Sequence, residues 1–398
     1  MNVNKKLLIV NSHLEVVGGV EVYLRDLIAG LKENGFDITY AYWVGTESLK
    51  GNLVENNPKN IRFIDQKKIS EFESFVDSYN PNYILAQNIE TPALHNLILK
   101  HQSTFYFFHD YRSVCLSGNK YWKFPKTTLC NRKQGIGCLA KYWINKCGGI
   151  NPFTGIRRYL SNIKLIRSLR NYNNLIVASE HVKKILIQNG FESKKISINP
   201  YFANSENRFR PFISKKNQTK KLLFVGRDVP AKGLVHAINA VHVANEMLSR
   251  EFELIVIGDK RSTIEYKKIA ANLGVKISFE GWLDKNDISN FMCKSDALLV
   301  PSIWPEPFGI VGIEACCNGL PIVGYRVGGI KDWLENGVNG ESPPDDEIDS
   351  ILLGRSLAKV LKDEEYWNQL RKGAFNKGKE FTIEKHIKNL LRLFQVKK

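Results

Sequence analysis

Between Tyr111 and Ser179 this 398-residue chain contains neither aspartate nor glutamate. The same stretch holds Arg112, Lys120, Lys123, Lys126, Arg132, Lys133, Lys141, Lys146, Arg157, Arg158, Lys164, Arg167 and Arg170, and so most of the formal net charge of +17. A segment with no internal counter-charge points to a polyanionic partner: a membrane surface, a diphosphate-linked lipid or nucleic acid. Long apolar runs are also missing. None approaches the roughly 18 residues of a spanning helix, which excludes a transmembrane segment. Cysteine is sparse and odd in number, at seven, which excludes a complete set of paired structural disulfides. No two cysteines have the Cys-x-x-Cys spacing of a zinc knuckle.

Composition is otherwise that of a soluble globular chain, with 43% hydrophobic and 24% charged residues. The chain is longer than one core usually supports, so two domains are expected. The start, Met1 to Val10, has a charged lead and a short apolar core, and reads as a first buried strand, not a signal peptide. A cytosolic location follows as an expectation. Cys293, Cys316 and Cys317 lie in apolar contexts as small buried hydrophobes. Cys115, Cys130, Cys138 and Cys147 all fall inside the basic segment. Four such thiols could hold a structural metal tetrahedrally or remain free.

Strand-like and helix-like pieces alternate through the first half. Strands are expected at 6–12, 38–42, 61–64, 83–87, 104–109, 175–179 and 196–199, with helices at 19–34 and 180–188. A polar, turn-rich stretch from Pro200 to Thr219 reads as a linker. Beyond it, strands are expected at 222–225, 252–257, 275–279, 297–300 and 321–324. Such alternation implies parallel sheets covered on both faces, in two Rossmann-like domains. The expected division is 1–205 and 206–381, with a C-terminal helix, 382–398, crossing back to the first domain. An insertion, 111–172, is too long for an ordinary βα connection. It ends in a basic helix over 156–170 with Ile156, Leu160, Ile163, Ile166 and Leu169 near one face, a pattern suited to an anionic bilayer.

The most informative stretch is Pro301-Ser-Ile-Trp-Pro-Glu-Pro-Phe-Gly-Ile-Val-Gly-Ile-Glu314. It follows the buried strand Asp296–Val300 and places Glu306 and Glu314 eight positions apart across a loop that feeds a helix. Eight helical residues span about 12 Å, close to the distance from sugar to ribose in an extended nucleotide sugar. Phe308-Gly309 would open the helix, where free N–H groups and the dipole favour a phosphate. Upstream, the strand Leu222–Val225 runs into Gly226-Arg227, with Lys232-Gly233 after a short loop. Two cations thus sit at the carboxyl end of a sheet, where open α/β folds bind ligands. Gly18-Gly19 links the first strand to its helix, permitting close backbone approach, but lacks the dinucleotide Gly-x-Gly-x-x-Gly pattern.

Taken with His109 and Gly328-Gly329, these motifs resemble the Glu-x7-Glu signature of retaining glycosyltransferases of the GT-B fold, family 4 (glycosyl transferases group 1), over nearly the whole chain. The resemblance implies an α/β GT-B fold with two Rossmann-like domains facing a central cleft. It matches Glu306 to the acid facing the donor sugar, Glu314 to the ribose ligand, and Arg227 and Lys232 to the diphosphate pair. Phe308, Gly309, Ile310 and Val311 would offer backbone N–H groups, Gly281 and Trp282 would bracket the base, and Gly18 and Gly19 would line the donor site. His109 would hydrogen-bond the transferred sugar as a neutral imidazole. An Asp-x-Asp triplet, the metal grip of the other major glycosyltransferase fold, is absent. Transfer without metal or other cofactor is therefore expected.

The expected activity is transfer of a sugar from a UDP- or GDP-sugar to a glycan or lipid-linked acceptor, in bacterial surface polysaccharide or lipopolysaccharide synthesis. The chain would lie peripherally on the inner face of the cytoplasmic membrane, with no nucleic-acid partner. The competing readings are a non-catalytic basic scaffold on the membrane and a nucleotide-sugar epimerase of the same fold.

Overall fold

The structure is a computed structural model describing residues 5–16, 18–44, 61–65, 68–125, 127–149, 151–203, 220–259 and 262–395. The chain forms two compact units, Met1–Tyr201 with Ile383–Lys398, and Phe202–Thr382. Most of the expected linker, 204–219, and Val17 before the Gly18-Gly19 pair lie outside the described residues.

The first unit runs β1 (Lys5–Val10), α1 (Gly19–Glu33), β2 (Phe36–Tyr42), β3 (Ile61–Phe63), α2 (Ile69–Tyr79), β4 (Tyr83–Gln87), α3 (Pro92–Ile98) and β5 (Thr104–Phe108). The basic segment then contributes β6 (Tyr121–Trp122), β7 (Thr128–Leu129), α4 (Gly137–Ile144) and α5 (Pro152–Arg170), before β8 (Asn174–Val177), α6 (Glu180–Gln188) and β9 (Ile196–Ile198). Seven strands form one sheet in the order β3-β2-β1-β4-β5-β8-β9. Every pairing in it is parallel, while β6 and β7 make a small antiparallel pair. Leu7, Leu8, Ile9 and Val10 are all inaccessible, as a strand covered on both faces requires.

The second unit runs β10 (Lys221–Val225), α7 (Leu234–Leu248), β11 (Glu253–Ile257), α8 (Thr263–Asn272), β12 (Lys276–Gly281), α9 (Lys285–Lys294), β13 (Ala297–Val300), α10 (Ile310–Cys317), β14 (Ile322–Gly324), β15 (Gly340–Glu341), α11 (Ser350–Lys362) and α12 (Glu364–Gly378). Its sheet order is β12-β11-β10-β13-β14-β15, again wholly parallel. Local chemistry sets several helix starts. Asp349 caps α11 by accepting from Ile351 and Leu352 N–H, and Asp363 caps α12 by accepting from Glu365 and Tyr366 N–H.

The last helix, α13 (Ile383–Gln395), belongs to the first unit. Phe394 stacks on Tyr83 at 4.7 Å between centroids and meets Phe105 edge-on at 4.7 Å. His386 is buried, its Nδ1–H donating to the Pro200 carbonyl at 2.6 Å and its Nε2 accepting from Tyr23 at 2.9 Å.

Two sequence expectations need correction. The apolar face anticipated on the basic helix is split. Leu165, Ile166 and Leu169 turn inward and are buried, and α5 packs on α3. Phe153, Ile156 and Leu160 are exposed, with Phe153 at 80%. At about 100° per residue the two sets lie on roughly opposite sides of α5, so they cannot form one stripe. Cys293 is only half-buried, with Sγ 3.3 Å from Asn318 Oδ1, whereas Cys316 and Cys317 are fully enclosed.

Candidate functional site

In the second unit the strand order reverses between β10 and β13, the place where open parallel sheets bind ligands. Both strands deliver candidate residues to their carboxyl ends. From β10 the chain passes Gly226-Arg227 into a short 3-10 turn, Pro230–Lys232, closed by Gly233 at φ 75°. A Cβ on Gly233 would stand 1.9 Å from the Pro301 carbonyl oxygen, so glycine is required where this turn meets the end of β13. Ile303 N–H donates to the Ala231 carbonyl at 2.9 Å, tying the two loops together.

That tie brings Lys232 and Glu306 into contact. Lys232 Nζ lies 2.5 Å from Glu306 Oε1, and Ser302 Oγ donates to the same oxygen at 2.7 Å. Glu306 is 5% exposed and its partner cation about a quarter exposed at the side chain, so one end of the pair opens outward. Trp304 lies beside the lysine, with Nζ 5.9 Å from a ring centroid. Arg227 is exposed and makes no ion pair among the described residues. Glu314 is half-buried in α10. The spacing Glu306 to Glu314 is not wholly helical: Gly309, at φ 90°, caps the helix, which begins at Ile310. Phe308 is buried and does not open the helix, while Ile310 and Val311 form its first turn.

A second pair of glycines fixes the Glu306 loop. A Cβ on Gly328, at φ 61°, would stand 2.3 Å from the Glu306 carbonyl oxygen; one on Gly329 would stand 2.4 Å from that of Pro307. Gly329 N–H donates to the Glu306 carbonyl at 2.7 Å. Trp333, buried, donates from Nε1 to the Phe308 carbonyl at 2.6 Å and lies over Gly312, where a Cβ would be 2.0 Å from the indole. Gly281 ends β12 at φ 84°, followed by the exposed Trp282.

In the first unit the corresponding reversal falls between β1 and β4. Gly18 lies just before α1, in extended backbone, and Gly19 begins the helix; a Cβ on Gly19 would meet nothing within 4 Å. His109 follows β5 and is buried. Gln87 Oε1 can only accept, so His109 Nε2 carries the proton and Nδ1 accepts from the Tyr201 hydroxyl. Burial, followed by the nearby Arg112 and His386, lowers its pKa to about 3, so the ring is neutral at pH 7. Both ring nitrogens are therefore engaged within the unit. The sequence placed this histidine but did not indicate its two partners. Ser302 and Trp333 were missed as well. Ser302 stood inside the Pro301–Glu314 motif, but nothing local marks it as a partner of Glu306.

Each unit thus has the doubly wound α/β form, and the whole is of the GT-B glycosyltransferase architecture, which solved glycosyltransferase structures share over nearly their full length. Residues 205–377 match the family described as Glycosyl transferases group 1, so the second unit carries such a domain. An uncharacterized glycosyltransferase of Methanocaldococcus jannaschii is 25% identical over 410 residues, covering 98% of each chain. The lipopolysaccharide glucosyltransferase WaaG of Escherichia coli K12 is 32% identical over 131 residues, 33% of this chain and 34% of the relative. The crystal structure of Anabaena Alr3699/HepE in complex with UDP aligns with a TM-score of 0.70 at 17% identity, covering 98% of both chains.

Proposed function

We propose that this chain is a retaining glycosyltransferase that moves a sugar from a UDP- or GDP-sugar to a glycan or lipid-linked acceptor in bacterial surface polysaccharide synthesis. The observation that carries the reading is the Lys232–Glu306 contact at the β10/β13 reversal, with Arg227 on the loop that follows β10. A carboxylate facing a sugar and cations facing a diphosphate are the two charges this reaction needs held in place. The UDP bound to a protein of the same fold and the lipopolysaccharide activity named for a partial relative support the donor and pathway classes.

In the proposed reaction the acceptor hydroxyl forms its bond to the anomeric carbon on the face from which the diphosphate departs. The bond from that carbon to the phosphate oxygen breaks, and the acceptor's proton passes to a leaving phosphate oxygen. Arg227 and Lys232 stabilise the charge that builds on the diphosphate, in place of a metal ion. Glu306 orients the sugar, Glu314 the ribose, and the N–H groups at the start of α10 face the phosphates. His109, in the first unit, is a neutral ring that could donate to or accept from a sugar hydroxyl if Gln87 or Tyr201 gave way.

Membrane attachment is the second part of the proposal. Phe153, Ile156 and Leu160 project from α5 beside the exposed Arg157, Arg158 and Lys164, and Ile136 and Ile144 are exposed around α4, which packs on α5. Apolar side chains among cations, with no acidic residue in the segment, suit an anionic bilayer. No helix among the described residues is long and apolar enough to cross a membrane.

Purified protein incubated with radiolabelled UDP- and GDP-sugars in chelator, with lipid-linked acceptors, tests the activity. Product formation lost in Glu306→Ala and Lys232→Ala supports it; turnover surviving both removes the site assignment. Conversion of the sugar with donor alone would mark an epimerase. Sedimentation with anionic vesicles, abolished in a Phe153→Ser/Leu160→Ser variant, tests the attachment; equal binding to zwitterionic vesicles refutes it.

A further inference from the structure

The segment joining β5 to α5 has little regular structure to hold its shape. It contains the two-residue pairing of β6 with β7, one eight-residue helix, and few enclosed apolar side chains, chiefly Tyr111, Val114, Leu116, Tyr121 and Tyr142. Pieces this small normally need a covalent or metal clip. Four of the seven cysteines lie here, all half-buried and all as free thiols.

Hydrogen bonds draw their positions together. Cys115 opens a turn in which its carbonyl accepts from Gly118 N–H at 2.9 Å. Lys120 lies two residues further on, and its carbonyl accepts from Cys130 N–H at 2.8 Å. Lys120 Nζ reaches on to the Arg132 carbonyl at 2.6 Å, and the next carbonyl, that of Lys133, lies 3.9 Å from Cys138 Sγ. Cys138 occupies the first turn of α4. After α4 the chain reverses at Lys146, at φ 48°, and returns Cys147 Sγ to within 3.4 Å of the Lys141 carbonyl. Lys141 is three residues beyond Cys138, on the same side of the helix.

Charge supplies an independent observation. Lys120 is 1% exposed and forms no ion pair among the described residues, and the segment has no carboxylate to offer. A buried ammonium with no carboxylate beside it among the described residues lacks the counter-charge that burial favours. Thiols become permanent anions when a metal takes their protons.

We propose that Cys115, Cys130, Cys138 and Cys147 bind one zinc ion as a tetrahedral tetrathiolate that fixes this segment, with Lys120 balancing part of its charge. Four S–H bonds break, four Zn–S bonds form and four protons leave to solvent, with no change of oxidation state. Two positive charges against four thiolates leave the site at two negative, the sign Lys120 lacks. All-thiolate donors select zinc over magnesium or calcium. The Cys147 thiol lies within electrostatic range of Cys115, Cys130 and Cys138. Among the described residues no three ligands yet stand at coordinating positions. Binding the ion therefore requires the cysteine side chains to turn about χ1, each step swinging Sγ by roughly 3 Å.

The test uses tag-free full-length protein expressed with added zinc and purified without chelator. Elemental analysis is expected to find one zinc per chain, retained in Cys293→Ser and lost in Cys130→Ser/Cys147→Ser. If that double variant fails to fold, the wild type still decides. Mercurial titration of it should release the zinc as four thiols react, and cobalt exchange should give the intense visible bands of a tetrahedral thiolate site. A chain that holds no zinc while all seven thiols react freely overturns the proposal. So do an iron chromophore in place of zinc, or only three free thiols after denaturation in chelator, which would mean two disulfides.

Discussion

Replacing Gly328 by alanine puts a methyl group where the chain carrying Glu306 already runs. The new carbon would lie 2.3 Å from the Glu306 carbonyl oxygen, 2.6 Å from its nitrogen and 2.7 Å from the Pro305 carbonyl carbon. All three are backbone atoms, so no side chain can swing aside. The residue also sits at φ 61°, where an L side chain costs about 1–2 kcal/mol. Forcing apart a packed contact adds about 1–3 kcal/mol. The expected loss is therefore about 3 kcal/mol, which lowers the melting temperature of a unit of this size by roughly 6–12 °C. Gly337 is the control: its φ is 75°, but its nearest neighbour, Tyr366 Oη, would be 3.9 Å from the new carbon. Alanine there keeps only the backbone cost, about 1–2 kcal/mol and roughly 2–8 °C. Scanning calorimetry on the two variants, with UDP-sugar binding measured alongside, separates the terms. If Gly328→Ala melts no lower than Gly337→Ala, the loop is not braced as described. If it melts lower but binds donor normally, the brace does not serve the site.

Lys232→Met leaves the buried Glu306 carboxylate without its cation and is expected to lower stability by about 1–2 kcal/mol, less than for a fully buried pair because the lysine is partly exposed. Adding Glu306→Gln should restore most of the loss in urea titration while turnover stays absent; additive losses would refute coupling. Acid should weaken the first unit earlier than carboxylate titration explains. Burial is the dominant cause that lowers His95 and His386 to about 4 and His109 to about 3. The unfolded chain takes up protons near pH 6.5 while the folded chain refuses them, so stability falls as pH drops below 6.5 and levels off beneath the folded values. The slope is at most about 1.4 kcal/mol per pH unit for each ring. Stability of the first unit that stays flat from pH 6.5 to 5 would contradict this. Phe394→Ala removes a ring packed on Tyr83 and Phe105 and should cost about 3 kcal/mol, read as an earlier melt of the first unit alone.

The alternation of buried runs and amphipathic stretches made most of both parallel sheets legible, because central strands such as β1, β4, β10 and β13 carry unbroken apolar runs along most of their length. The Pro301–Glu314 stretch likewise exposed Glu306, since its prolines and glycines state the turn locally. Pairings distant in sequence left no such mark. Nothing near Lys232 says that its ammonium lies against Glu306, and nothing near His109 says that Gln87 and Tyr201 fill its ring nitrogens. On α5 the period of 3.6 was read correctly as helical, but two apolar sets on opposite sides mimic one broad face when only a few residues are counted. The strand β15 went unseen because its two residues, Gly340 and Glu341, have no strand character of their own.

The first unit includes residues at both ends of its polypeptide order: α13 joins it only after the whole of Phe202–Thr382 has intervened. A ribosome therefore delivers the β3-to-β9 sheet long before the helix that covers Tyr83, Phe105 and the Asn199–His386 contact. While synthesis continues, that apolar face must wait uncovered, and the second unit can mature first. Domains normally fold in the order they emerge; here a helix made after the second unit completes the unit that emerged first.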